Sequence, residues 1–307
     1  MALHSFWRGW RAVTLLIVLL WPPLLLGQGS APGYEIRVVT GDNGPVTQQI
    51  LQSLRRQYPA LQAGSDLAHL ASRGGRGLYL SIGPSALQAI LRSKVDGVVV
   101  SMFCSSAAYM ELMSQAGPEK RRSVTAIYAE AAPTHQMQLL SGLLGREAIV
   151  AALLTENTFY LEPLLQDAAR RAGLTLRIER VRTDENVSRA LTRVASAAAI
   201  LAVPDSSIYT PDNLRTILES TYRRSQIVVG FSTALVKAGT TATAYSTIDD
   251  VLAELDQVIR SIASGGIPAP KFPRYWRVAI NESVARSLNI VVTDQVRVMG
   301  EQPPGKH

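Results

Sequence analysis

The sequence predicts an α/β protein: two doubly wound parallel-sheet lobes joined by a hinge. Three observations carry that expectation. Short apolar runs of strand length, Gly77 to Ile82, Val124 to Tyr128 and Ile227 to Val229, alternate with stretches of helical character. The alternation runs through the chain twice, with a break near Leu144 to Arg146. Once an N-terminal leader is set aside, about 275 residues are left, more than one core usually organises.

The leader comes first in the chain. Arg8 and Arg11 precede an uncharged, Leu-rich stretch from Ala12 to Leu26 that ends in small residues, the pattern of a secretory signal peptide over residues 1–31. Cleavage is expected after Gly29 or Ala31. The stretch is short for a membrane span and is interrupted by Pro22 and Pro23, which argues against an anchor. With no Cys near the cut, a lipid anchor is not indicated. Export through a cleavable signal implies a periplasmic protein.

The formal charge of +7 falls to +5 when Arg8 and Arg11 leave with the leader. The remaining bases are scattered as Arg55-Arg56, Arg121-Arg122, Arg170-Arg171 and Arg223-Arg224. No run reaches five like charges and aromatics are sparse, so nucleic acid is not expected as a partner. Cys104 is the only cysteine, which excludes an internal disulfide and a thiolate metal site. His69, His135 and His307 have no metal-ligand spacing, and no cofactor fingerprint appears: Gly74-Gly75-Arg76-Gly77 precedes a strand where a dinucleotide loop would follow one. No repeat of fixed period is present, so a solenoid is not expected.

The first series begins with a strand from Glu35 to Thr40. The Gly41 to Pro45 turn hands it to a helix reaching about Tyr58, with Pro45 suited to a first helical turn. Gly77 to Ile82 is a strand and Gly83-Pro84-Ser85 opens the helix Ala86 to Arg92. Gly97 to Phe103 is a strand, followed by Ser105, Ser106 and a helix to about Gln115. Val124 to Tyr128 and the helix Pro133 to Leu144 close the series. The second comprises strands Glu147 to Leu154, Leu174 to Val181, Ile200 to Val203 and Ile227 to Val229, with helices Thr158 to Ala172 and Glu185 to Ala197 and a helical interval before Ile227. Right-handed crossovers then fix the topology.

The last third departs from the alternation. A short strand, Thr241 to Tyr245, precedes a long helix, Ile248 to Ala263, and the connector Gly265 to Pro270. Arg274 to Ile280 reads as a strand, with Asn281 capping a short helix. The simplest account returns this segment to the first lobe. The expected division is therefore 32–144 plus 272–307 for the first lobe and 145–271 for the second, an arrangement suited to hinge closure.

In open α/β sheets, ligands sit at the carboxyl ends of the strands, so Pro204, Asp205, Ser206, Ser207, Ser232 and Thr233 are expected to line a cleft. Ser105 joins them as the polar end of the Gly97 to Phe103 strand. Gly83 and Ser85 offer backbone N–H groups and a hydroxyl that suit either an anionic ligand group or a helix cap. Asp205 suits a ligand ammonium or, again, a cap. Tyr128 and Tyr245 could stack on a ring or pack in the core. Gly230 to Ala234 superficially resembles a nucleophile elbow, but among histidines only His307 lies downstream of Ser232, so the α/β-hydrolase order fails. A Cys104 nucleophile with His135 as base competes with the plainer reading of Cys104 as a small buried hydrophobe.

Five segments in order carry a family likeness: Ser81 to Ala86, Val203-Pro204-Asp205, Val229 to Ser232, Trp276 to Asn281, and Ala285 to Leu288. Together they resemble the ABC transporter substrate-binding proteins of the tryptophan/tyrosine type. The resemblance implies a type I periplasmic-binding-protein fold, and a non-enzymatic monomer that captures a small organic solute, an amino acid among the candidates. It would present that solute to an ABC permease in the inner membrane. It also implies interlobe positions at Gly83, Ser85, Tyr128, Asp205, Ser206, Ser232 and Tyr245. Ser101 to Ser106 departs from the family's polar Asp-Pro turn. The alternative is a periplasmic sensor or accessory protein that keeps the fold without delivering cargo.

Overall fold

The computed structural model describes residues 34–72, 77–145, 147–182 and 184–304. The expected signal peptide, Gly74 to Arg76 and His307 lie outside the described residues. The first series is β1 (Glu35–Thr40), α1 (Pro45–Gln57), β2 (Gln62–Gly64), α2 (Leu67–Ala71), β3 (Gly77–Ile82), α3 (Gly83–Arg92), β4 (Val98–Cys104), α4 (Ser106–Gln115), α5 (Pro118–Arg122) and β5 (Val124–Tyr128). The second is α6 (Pro133–Leu144), β6 (Ile149–Leu154), a 3₁₀ turn (Glu156–Leu161), α7 (Glu162–Ala172), β7 (Thr175–Arg180), α8 (Val187–Arg193), β8 (Ala199–Leu201), α9 (Pro211–Arg223), β9 (Ile227–Val229), α10 (Thr233–Ala238) and β10 (Ala242–Tyr245). Then follow α11 (Ile248–Ala263), β11 (Trp276–Ile280), α12 (Glu282–Ser287), α13 (Asp294–Arg297) and β12 (Gly300–Glu301).

The first sheet has the order β2-β1-β3-β4-β5 and is parallel throughout. The second runs β12-β11-β10-β9-β8-β6-β7, so its parallel part, β7-β6-β8-β9-β10, repeats the order of the first. Each sheet is covered on both faces, which is why its strands read as unbroken apolar runs. Val38, Leu80, Val100 and Ile127 pack with α1 on one face of the first sheet. Val39, Tyr79, Val99 and Ala126 pack with α3 and α4 on the other. In the second sheet Ala152, Leu154 and Leu201 face α6 and α7, while Ala151, Leu153 and Ile200 face α8 and α9.

The division between the lobes differs from the expectation at both ends. Residues 272–307 do not return to the first sheet: β11 pairs antiparallel with β10, Thr243 opposite Ala279, and β12 pairs with β11. The element that crosses back is α11, whose stripe Val251, Leu255, Val258 and Ile262 packs against Ile36, Ile50 and Leu54. Burial of that stripe draws α11 to the first sheet, and the open edge of β10 then takes the returning strand. The boundary near Leu144 also moves, because Met137, Leu139 and Leu140 of α6 lie in the core of the second sheet. Gln136 fastens α6 there, its amide donating to the Ala244 carbonyl at 2.9 Å and accepting from the Ala244 N–H at 3.0 Å.

The chain thus passes between the cores at Ala129 to Pro133, at Ser246 to Thr247 and at Lys271 to Pro273. Lys271 runs beside β5, its N–H donating to the Ala126 carbonyl at 3.0 Å. Two ion pairs brace these crossings. Arg277 of β11 grips the buried Asp250 of α11 through two contacts of 3.0 and 3.1 Å, and Lys271 pairs with the buried Glu254.

Candidate functional site

A cleft of about 400 Å³ opens where the carboxyl ends of strands from both sheets meet. The first lobe supplies Phe103, Ser105 and Glu111, and the first crossing supplies Glu130. The second lobe supplies Asn157, Thr158, Asp205, Ser206, Phe231 and Ser232.

On the first wall the local backbone aims the side chains. The register of β4 against β5 shifts between Met102 and Cys104, and Phe103 adopts φ 55°. This left-handed conformation is costly for a bulky residue, and it accompanies the placement of the half-buried Phe103 in the cleft wall. Ser105 follows in extended conformation and caps α4, accepting from the Ala108 N–H at 3.2 Å. Ser106, the first residue of α4, binds Glu130: its N–H donates to both carboxylate oxygens at 3.0 and 3.2 Å, and its hydroxyl donates to Oε1. The Tyr160 hydroxyl, from the 3₁₀ turn of the second lobe, donates to Ser106 Oγ at 2.8 Å. A chain of hydrogen bonds therefore runs Tyr160 to Ser106 to Glu130 across the two lobes. Burial pushes the Glu130 carboxyl above the usual carboxylate range.

On the second wall Asp205 closes the loop after β8. Its Oδ2 accepts from Thr155 Oγ1 at 2.6 Å and Thr158 Oγ1 at 2.8 Å, and its Oδ1 accepts from the Ser207 N–H at 3.0 Å. The carboxylate ties the loop after β6 to the loop after β8. Ser232 caps α10, accepting from the Leu235 N–H at 3.4 Å. Phe231 meets Tyr209 edge to face, centroids 5.8 Å apart. Tyr209 also lines the cleft, and its buried hydroxyl has no hydrogen-bond partner among the described residues.

Of the residues expected from sequence, Ser105, Pro204, Asp205, Ser206 and Ser232 share this cleft, whereas Ser207 and Thr233 are not part of its lining. Gly83 and Ser85 do not line it. They lie at the β3–α3 turn, where Ser85 is packed so closely on the loop after β1 that a Cβ on Gly41 would come within 2.7 Å of it. Tyr128 is buried between Tyr109 and Phe272, with centroids at 5.6 and 4.9 Å, so it packs the hinge. Tyr245 stands at the end of β10 opposite Arg277, away from the cleft. Phe103, Glu111, Glu130, Asn157, Thr158, Tyr209 and Phe231 escaped the sequence reading. Glu130 and Asn157 each follow an apolar run of strand length, the signal that would have found them.

Cys104 is buried and its thiol is pushed up to about 12, chiefly by burial, so it is no thiolate nucleophile. His135 stacks on Trp276 at 4.7 Å, and burial lowers it to about 4. Among the described residues no group of three His, Cys, Asp or Glu is placed to hold a metal ion. No helix among them is long and apolar enough to cross a membrane.

No protein-family model matches the chain, and no curated protein matches it. Solved structures do. The ABC domain in complex with L-Trp from Streptococcus pneumonia superposes with TM-score 0.57 at 18% identity, covering 87% of this chain and 98% of that one. A conserved domain protein from Vibrio cholerae gives 0.57 at 16%, covering 88% and 100%. The ligand-free, open structure of a substrate-binding protein with adhesive properties from Clostridium difficile gives 0.63 at 11%, covering 87% and 98%. At these identities the likeness is one of fold. The chain has the type I periplasmic-binding-protein fold, two lobes of helix-covered parallel sheet with a cleft at their strand ends.

Proposed function

We propose that this protein is the exported solute-binding component of an ABC transporter, working in the periplasm without catalysing a reaction. It captures a small organic solute between its lobes and presents it to a permease in the inner membrane. The observation that carries this reading is the cleft itself: about 400 Å³, built from both lobes, with aromatic rings and a few hydroxyl, amide and carboxylate groups facing it. That composition suits an apolar or planar body oriented by a few polar contacts. The fold shared with a domain that holds L-Trp supports it.

Binding works by differential affinity. A solute touching Phe103 on one lobe and Phe231 on the other gains its full contact set only when the lobes are together, so it stabilises the closed state. The crossings at Ala129 to Pro133, Ser246 to Thr247 and Lys271 to Pro273 are where such a hinge would turn. A thermal-shift screen against amino acids, amines, nucleosides, small organic acids and sugars tests the reading. A hit weakened by Phe231→Ala supports it, whereas a folded protein silent to every class speaks for a sensor or accessory role.

A further inference from the structure

Resting on that solute-binding reading, we propose that the occupant of the cleft is an organic cation, an amine or quaternary ammonium compound without a free carboxylate, held through its charge by Glu130. The chain carries a formal charge of +7, yet among the described residues the ionisable side chains that line the cleft are Glu111, Glu130, Asp205 and Tyr209, with no Lys, Arg or His. A ligand carboxylate would meet three carboxylates and no cation.

Glu130 is a buried carboxylate with no cationic side chain paired to it among the described residues. It is 6% exposed, and its hydrogen-bond donors are the N–H and hydroxyl of Ser106 and its own backbone N–H. The other buried carboxylates are handled differently. Asp250 has Arg277 and Glu254 has Lys271, while Asp205 accepts from three separate residues. Glu130 makes no ion pair among the described residues. The titratable groups around it, Cys104 from β4, Tyr128 from β5 and Tyr160 from the 3₁₀ turn, are all pushed up by burial and stay neutral, so none of them supplies a positive charge. A buried carboxylate in this position is stabilised by a cation arriving from outside.

The second wall points the same way through a different group. The Tyr209 hydroxyl, buried beside the cleft, has no hydrogen-bond partner among the described residues and could accept an ammonium N–H once a ligand uncovers it. Phe103, Tyr209 and Phe231 line the same space, surroundings that favour a cation attached to an apolar body.

The test is a calorimetric titration with compounds matched in frame and differing in charge: phenethylamine, phenylalanine, 3-phenylpropionate and 3-phenylpropanol, then the corresponding indole and alkyl sets. In whichever frame binds, the amine is expected to bind at least about tenfold tighter than the amino acid and the acid. Glu130→Gln keeps an acceptor for Ser106 and should weaken the amine about 10- to 100-fold while moving the alcohol by less than about threefold. Glu111→Gln, at the exposed rim, should weaken the amine by about threefold or less. Tightest binding by the amino acid or the acid, measured on the unaltered protein, overturns the inference and leaves the solute-binding reading in place. An amine affinity unchanged in folded Glu130→Gln overturns the role of that residue. If no compound of these sets binds while a nucleoside or sugar does in the thermal-shift screen, the cation inference is overturned and the solute-binding reading stands; silence in both experiments overturns both.

Discussion

Asp205 sits in the cleft wall, but its hydrogen bonds make it first of all a strut, and Asp205→Ala separates the two roles. The substitution removes the acceptor of Thr155 Oγ1, Thr158 Oγ1 and the Ser207 N–H. Thr155 and Thr158 are both buried, at 1% and 0% exposure, so water entering from the cleft replaces the carboxylate only in part. Thr158 keeps a second acceptor, the Thr155 carbonyl at 3.2 Å, whereas Thr155 Oγ1 has no other acceptor among the described residues. Bonds to a charged group are each worth about 1.5–3 kcal/mol, and one hydroxyl retains an alternative. The loss should therefore be about 3 kcal/mol. Asp205→Asn preserves shape and one acceptor, and should lose about 1 kcal/mol. Urea unfolding followed by circular dichroism measures both. A loss below about 1 kcal/mol for Asp205→Ala, together with abolished solute binding, would refute the strut and make Asp205 primarily a ligand contact.

Three further predictions follow from other parts of the molecule. Gly97 has φ +147°, and a Cβ there would come within 2.6 Å of the Gly77 carbonyl oxygen, so Gly97→Ala should cost about 2 kcal/mol or more in urea unfolding. Arg277→Met strips the cation from Asp250, which is fully buried, and should cost about 3 kcal/mol; the double variant Asp250→Asn, Arg277→Met should recover part of that loss. His135 is lowered from 6.5 to about 4, chiefly by burial, so below pH 6.5 the unfolded chain binds a proton that the folded protein refuses. Stability should fall as pH drops from 6.5 towards 4, by about 2 kcal/mol after allowance for partial exposure. His135→Phe, which keeps the stack on Trp276, should flatten that limb of a pH series of unfolding midpoints.

The elements themselves were largely legible. Val124–Tyr128, Ile227–Val229, Pro133–Leu144 and Ile248–Ala263 fall where apolar runs, Pro at a first turn and helical spacing put them. The last gains a capping box from Thr247 and Asp250. What periodicity cannot express is which sheet an element joins. Both sheets have the same strand order and the same apolar faces, so nothing within Ile248–Ala263 or Trp276–Ile280 marks its partner, and the two were exchanged between lobes. Gln62–Gly64 stayed invisible because a short, half-buried edge strand needs no apolar run.

The site was legible to the extent that it sits at strand ends. Ser105, Pro204, Asp205, Ser206 and Ser232 stand at strand ends and line the cleft. Gly83, Ser85, Tyr128 and Tyr245 also stand at strand ends, but which ends reach the cleft depends on how the two sheets face each other. Phe103 shows the remaining gap. Its position in the cleft rests on a register shift and a positive φ in a residue that seldom adopts one, and no residue pattern announces either.

The most direct test of the account is a crystal structure of the protein with whichever compound stabilises it most in the thermal-shift screen. At 100 times its dissociation constant such a compound should add about 2.7 kcal/mol of stability. The account predicts that it lies between Phe103 and Phe231, touching both lobes, and that Phe103→Ala, Phe231→Ala abolishes the stabilisation. A stabilising compound bound elsewhere on the surface, with its effect intact in that double variant, would contradict the claim that this cleft is where the protein works.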